Sequence, residues 1–349
     1  MRALVTGGAG FVGTNVADRL LRDGHEVVVL DNLSRVGVRD NLQWLRGHHP
    51  QRLRVVRGDV RDAVVVREAL QGVDQVFHFA AQVAVTTSVD DPRHDFAVNL
   101  GGTLNLLEEA RRLPTPPALL FTSTNKVYGG LDDVTIEKAD GRYVPADTRY
   151  RRHGIGEDRR LDFCSPYGCS KGGADQYVID YAKSYGLRTV VFRMSCIYGQ
   201  HQQGNEDQGW VAHFVKQALA GEPITLYGDG RQVRDVLHVD DLIEAMLAAM
   251  GRIDEFAGRA FNIGGGPDNT VSLLELLDLI GQLCGEVPQV DVGDWRVGDQ
   301  RWYVSDTRAF QQATGWSTTV DVAEGVQRLY LWLQSAAAGQ PALSATEAH

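Results

Sequence analysis

The segment TGGAGFVG, residues 6–13, joins an apolar run to an amphipathic one and places glycine at positions 7, 10 and 13. Few backbones satisfy all three. Gly7 permits a tight turn, Gly10 lets a pyrophosphate approach the main chain, and Gly13 lets the following helix lie against a sheet. The helix start offers unpaired N–H groups and a partial positive charge to an anion, so Gly7, Gly10, Phe11 and Val12 are candidate pyrophosphate contacts. Asp31 follows Gly7 by 24 residues, at the end of the second apolar run EVVVLD. Its carboxylate can accept from both adenosine ribose hydroxyls and repels a 2′-phosphate, which favours NAD over NADP. Asn32 stands beside it, while Arg35 pulls the choice the other way. Asp59 and Val60, after the third apolar run, suit the adenine edge; Asp59 as the cap of the next helix is the alternative.

The runs ALVTG (3–7), EVVVLD (26–31), LRVVRGD (53–59), QVFHFAA (75–81) and ALLFTS (118–123) read as strands buried on both faces. Between the first two, Phe11, Val12, Val16, Leu20 and Leu21 share a helix face, and 60–72 and 92–112 read as further helices. A sixth strand is expected at 188–194. This alternation predicts an α/β, Rossmann-type doubly wound parallel sheet with a smaller α/β substrate-binding lobe. The nucleotide domain takes 1–194 plus about 234–264. The lobe takes about 195–233 and 265–335, with helices at 209–220 and from Ser272, whose hydroxyl and Glu275 form a capping box. Residues 336–349 read as a disordered tail.

Tyr167 and Lys171 form a YxxxK pair. On a helix, positions i and i+4 share a face. A neighbouring ammonium and a cationic cofactor ring both favour the phenolate, which can then take a hydroxyl proton as hydride leaves the same carbon. Alone, such a pair is common by chance and reads better as a solvated helix face. TSTNKVYG (122–129) changes that reading, because Thr124 at the end of the fifth strand offers a hydroxyl to the same oxygen.

Taken in order, TGGAGFVG, FHFAA, FTSTNKVYG and YGCSK resemble the extended short-chain dehydrogenase/reductase family of NAD-dependent epimerases and dehydratases. The resemblance implies NAD as cofactor and Thr124, Tyr167 and Lys171 as catalytic triad, with Lys171 also on the nicotinamide ribose. It further implies Asn99 in support and Ala80 of FHFAA in the cofactor set. Family dehydratases and decarboxylases carry acidic residues after the threonine, whereas this chain carries Asn125 and Lys126. Plain oxidation and reduction remain, and therefore epimerisation or net dehydrogenation.

Arg234 (GDGRQVRDVLH), Arg296 and Arg301 (WRVGDQRWYVSDT) are natural diphosphate clamps, since guanidinium binds phosphate oxygens bidentately; surface ion pairs are the competing reading. The family places diphosphate contacts at positions matching Arg234 and Arg296, and a nucleoside-ribose contact at Asp299. STNKVYG, DQGW and the arginine blocks resemble the CDP-paratose 2-epimerase (CDP-tyvelose epimerase) branch, which adds Asn125, Gln208, Gly209 and Trp210 to the substrate set. Cys164 and a basic stretch at 140–160 depart from that branch, and both are expected near the sugar. The implied activity is 2-epimerisation of a CDP-hexose, CDP-paratose or CDP-glucose. A UDP-hexose 4-epimerase is the runner-up. A non-catalytic NAD-sensing regulator is the reading of another class, opposed by the complete triad. The helices at 92–112 and 167–184 imply a homodimer or homotetramer.

A net charge of −10 opposes nucleic-acid or membrane-surface binding, since both partners are anionic. Four cysteines without metal spacing, and a chain start lacking a signal-peptide pattern, point to reduced thiols in the cytoplasm. The histidines show no metal-ligand spacing, Cys196 reads as a packed small side chain, and Trp295, Trp302, Trp316 and Trp332 read as core anchors or stacking platforms.

Overall fold

The computed structural model describes residues 1–296 and 299–337. Seven parallel strands form the main sheet: β1 (Arg2–Thr6), β2 (Glu26–Asp31), β3 (Leu53–Arg57), β4 (Gln75–His78), β5 (Ala118–Thr124), β6 (Thr189–Met194) and β7 (Arg259–Ile263). Their spatial order is β7-β6-β5-β4-β1-β2-β3, a Rossmann-type doubly wound sheet. The order reverses between β1 and β4, which opens a crevice at the carboxyl ends of the strands.

Alternation along each strand explains the two covering layers. Val5, Val27, Val29, Phe77, Leu120 and Phe192 face the first helix (Phe11–Arg22) and the helix Val239–Gly251. Leu4, Val28, Leu30, Val76, Leu119 and Val191 face the helices Ala63–Ala69, Gly102–Arg111 and Ser165–Tyr185. The sequence pattern does not mark β7: its five residues, RAFNI, begin on an exposed arginine and carry only one short apolar stretch.

The lobe holds its own core, with Val211, Phe214, Ile224, Leu276, Ile280, Val326 and Leu329. Ile224–Tyr227 pairs in parallel with Val290–Gly293. Val233–His238 pairs with Thr270–Ser272, Trp302–Tyr303 and Cys196–Tyr198. The segment expected to return to the nucleotide domain at about 234 therefore starts in the small sheet, and only from Val239 does it pack beneath the large one. Ser272 and Glu275 form both bonds of the capping box. The last helix, Val322–Ala337, includes residues 336 and 337 of the expected tail; 338–349 lie outside the described residues.

Candidate active site

At the first turn the three glycines serve different needs. Gly7 has φ +66°, its N–H donates to Leu30 O at 2.8 Å, and a Cβ there would lie 2.8 Å from Ala80 N. A Cβ at Gly13 would fall 2.3 Å from Gly7 O, so helix and turn touch backbone to backbone. Gly10 differs: a Cβ would meet only Gly7 O, at 3.1 Å, and the residue lines the cleft with Phe11, Val12 and Gly13. No side chain caps this helix. An uncapped helix start facing a cleft through a bare Gly10 fits a pyrophosphate.

The Asp31 carboxylate accepts from Ala9 N at 3.0 Å and Leu33 N at 2.8 Å. Burial pushes its pKa up, and these two bonds oppose that shift. Asp59 is more tightly engaged than expected. Arg61 donates to both its oxygens, at 2.9 and 2.8 Å, and Asn32 Nδ2 donates at 2.9 Å. Arg61 holds the Asp59 carboxyl well below the usual range. The cap of the following helix is Asp62, which overturns the alternative reading of Asp59 as that cap. Val60 is buried, and the Ala80 N–H donates to Thr6 Oγ1 at 3.3 Å. Asp31, Asn32, Asp59, Val60 and Ala80 surround the cleft without lining it.

Thr124 ends β5, and Tyr167 lies in the first turn of Ser165–Tyr185, anchored by its N–H to Ser88 Oγ at 3.2 Å. Thr124, Asn125, Lys126, Tyr167 and Lys171 all line the cleft. Burial pushes the Tyr167 phenol up to about 12, partly offset by a hydrogen bond with the Thr124 hydroxyl. Lys171 is directed toward the sheet. Its Nζ donates to Thr122 O at 2.5 Å and lies 4.2 Å from the centre of the Phe121 ring. Burial pushes that ammonium down to about 7. The helix puts both residues on one face, with the lysine Nζ bonded to a carbonyl of β5. Asn99 lies in a wide π turn, Ala97–Gly101, behind the cleft. It exchanges hydrogen bonds with the Gln82 backbone, at 2.9 and 3.0 Å, and donates to Ser170 Oγ at 3.0 Å. It thereby ties the segment that carries Val83 and leads into the helix Val85–Asp90 to the helix Ser165–Tyr185.

The cleft, about 460 Å³, continues into the lobe as far as Arg234, Arg296 and Asp299. Arg234 is buried and donates to Asp299 Oδ1 at 2.6 Å, so this carboxylate orients the guanidinium. Arg296 lies 3.8 Å from the Tyr227 ring centre and donates to Glu206 O at 2.6 Å. Arg301 does not line the cleft; it is exposed and stacks on Trp295 at 5.1 Å. Gln208, Gly209 and Trp210 do line it, with the indole N–H directed at Cys196 Sγ, 3.5 Å away. Cys196 lines the cleft and also packs against the lobe core, as a small packed side chain does. Burial pushes the Lys126 ammonium down to about 8.

The basic stretch 140–160 does not approach this space. Arg142 pairs with Glu275, Arg149 with Asp158, and Arg151 donates to Pro145 O. Cys164 is exposed and also outside the lining. Val83, Val85, Thr86 and Met194 line the cleft although no motif marks them, and Thr225, Tyr227 and Gln232 join it from beside Arg234; the order of the strands assembles them. Among the described residues no group of three or more His, Cys, Asp or Glu could hold a metal ion, and no helix is long and apolar enough to cross a membrane.

Residues 3–264 match the model of the NAD dependent epimerase/dehydratase family. The chain is 43% identical over 342 residues to the CDP-paratose 2-epimerase of Salmonella typhi, spanning 96% of this chain and 100% of that one. Among solved structures it resembles the UDP-glucose 4-epimerase of Thermus thermophilus in complex with NAD, with a TM-score of 0.80 and 34% identity, covering 96% of this chain and 100% of that one. It also resembles the dTDP-glucose 4,6-dehydratase DesIV of Streptomyces venezuelae with NAD bound, with a TM-score of 0.82 and 30% identity, covering 97% and 99% of the two chains.

Proposed function

Because the chain belongs to the NAD dependent epimerase/dehydratase family, we propose that it is a nucleotide-sugar epimerase that inverts C2 of a CDP-hexose. One observation carries this reading: a single cleft joins the glycine turn, the Thr124–Tyr167–Lys171 group and the arginines 234 and 296. NAD, when bound, supplies reversible hydride transfer at its nicotinamide ring. Gly7, Gly10, Phe11 and Val12 hold its pyrophosphate, and Asp31, Asn32, Asp59, Val60 and Ala80 frame its adenosine. Thr124 directs the sugar hydroxyl, and Tyr167 takes its proton and later returns it. Lys171 holds the nicotinamide ribose, with Asn99 fixing the loop beside it. Arg234, oriented by Asp299, and Arg296 hold the diphosphate, while Asn125, Gln208, Gly209 and Trp210 enclose the sugar. Asn125 and Lys126 provide no carboxylate for an elimination, so the ketone formed at C2 is simply reduced again on its other face. The identity to a CDP-paratose 2-epimerase favours a CDP-linked substrate and C2 over a UDP-hexose and C4.

Proton NMR of the purified protein with CDP-paratose, CDP-glucose and UDP-glucose, without added cofactor, tests this. A gluco-to-manno change in the H1–H2 coupling of a CDP-sugar is the expected result. Conversion of the UDP-sugar alone would move the reaction to another carbon, and no conversion even with added NAD would favour a sensor over a catalyst.

The acid limb of the rate profile offers a second check. Only the phenolate accepts a proton, so kcat/KM should rise tenfold per pH unit below the Tyr167 pKa of the holoenzyme and level off above it. Thr124 lowers that pKa through its hydrogen bond. Thr124→Val should therefore shift the break upward by about one pH unit, besides slowing the reaction. A break at unchanged pH would remove Thr124 from the proton-transfer pair.

Four free thiols support a reducing compartment, the cytoplasm. Val89, Phe96, Tyr177 and Tyr185 are exposed along the helices of 85–111 and 165–185, which supports a homodimer or homotetramer through that face; sedimentation of the holoenzyme decides between them.

A further inference from the structure

On the NAD reading above, Asp31 and Tyr167 mark the adenosine and nicotinamide ends of the dinucleotide, and one guanidinium acts on both. Arg35, on the loop after β2, lines the cleft, and its charge bears on the Asp31 carboxylate and on the Tyr167 phenol. Its Nη2 donates to Oε1 of Gln208, which also lines the cleft and leads into the lobe helix Trp210–Ala220. The loop bearing Gln208 lies along the nucleotide domain. Asn15 Nδ2 donates to Gln200 O at 2.9 Å, and Asn41 Nδ2 to His201 O at 3.2 Å. At Gly37, with φ +77°, Gln203 packs so closely that a Cβ would fall 2.3 Å from its Cγ. These contacts hold the loop at its margin, whereas the Arg35–Gln208 bond joins two residues that both line the cleft.

Lys126, Arg234 and Arg296 line the substrate half, and Lys171 is directed to Thr122. On the nucleotide half, Arg35 is the cation among the described residues that line the cleft. The glycine turn itself offers only N–H groups and the partial charge of a helix start to a doubly negative pyrophosphate. We infer that Arg35 is the counter-charge for the cofactor diphosphate and, joined to Gln208, forms a bar across the bound dinucleotide that retains it between turnovers. An epimerase has a use for such a bar, because the hydride removed from a sugar must return to that same sugar. The bond also couples the halves: opening the bar frees the loop that carries Gln208, Gly209 and Trp210 to the substrate side.

The test is NAD retention. Wild type, Arg35→Gln, Arg35→Lys and Gln208→Ala are dialysed exhaustively, their nucleotide is released and quantified, and the stripped proteins are titrated with NAD and, separately, with CDP. Arg35→Gln should require about 10- to 100-fold more NAD for half-saturation, the cost of a charge-assisted contact. Arg35→Lys should recover part of that loss, and CDP affinity and the melting temperature of the stripped protein should not change. Gln208→Ala should exchange labelled NAD faster than wild type. Retention by Arg35→Gln equal to wild type overturns the inference and leaves the NAD reading standing. A loss confined to CDP affinity assigns the guanidinium to the substrate and equally overturns it. A wild type that carries no NAD and binds none on titration defeats the reading on which the inference rests.

Discussion

Tyr167→Phe should lower turnover by about 10²- to 10⁴-fold, the range for loss of a positioned acid–base group, while the protein still folds and still carries NAD. The substitution removes one oxygen and keeps the ring. Thr124, its hydrogen-bonding neighbour, retains a bond to Asn125 Oδ1 at 3.3 Å, so no buried donor is stranded. The glycine turn is formed by backbone contacts the phenol does not make. The melting temperature should therefore stay near that of wild type, and the nucleotide content of the purified variant should be unchanged. Turnover followed by NMR, beside nucleotide content, separates the outcomes. A variant within tenfold of wild type would remove Tyr167 from the chemistry and revive the sensor reading, in which the phenol has no proton to move.

The largest effect on stability is expected at Asp175. Its carboxylate sits on the helix Ser165–Tyr185 and takes two bonds from Arg193 of β6, at 2.8 and 3.0 Å, with both side chains buried. Arg193 also donates to Tyr128 Oη at 3.2 Å, and Tyr128 donates to Asn262 Oδ1 at 2.7 Å, linking β6, the turn after β5, and β7. Asp175→Ala strips the buried Arg193 guanidinium of the carboxylate that takes two of its hydrogen bonds and should cost about 3–5 kcal/mol. The double variant Asp175→Leu with Arg193→Met removes both charges and should lose much less, because the penalty comes from the stranded charge rather than from the pair. Denaturant midpoints of the three proteins measure this. A loss below about 1 kcal/mol for the single variant would mean that Arg193 can turn to water. Because Met194 and Ser195 follow Arg193 into the cleft, partial activity loss should accompany the destabilisation.

Short-range features were legible in the sequence. The glycine spacing, the Asp31 position, the YxxxK pair and the Ser272–Glu275 box each depend on backbone geometry within a few residues or on the period of one element, and each is found where that geometry puts it. The same holds for β1 to β6, whose apolar runs are long enough to read. β7 was missed because five residues with an exposed arginine at one end carry too little pattern. Asp59 shows the limit at close range: the spacing gave no sign that Arg61, two residues away, would donate to both its oxygens.

By itself, then, the sequence determined the doubly wound sheet, the glycine turn and the elements that carry Thr124, Tyr167 and Lys171, because strand periodicity, turn glycines and i, i+4 spacing are local rules. Only the tertiary structure decided where the long charged side chains point. Lys171 turned to Thr122 of β5, Arg301 to the surface indole of Trp295, and Arg234 to Asp299. Arg35 reached Gln208, 173 residues away. A lysine or arginine side chain has several rotatable bonds and accepts whichever carboxylate, carbonyl or ring the fold brings within reach. That choice is made by packing among segments far apart in the chain, and spacing along the sequence carries no record of it.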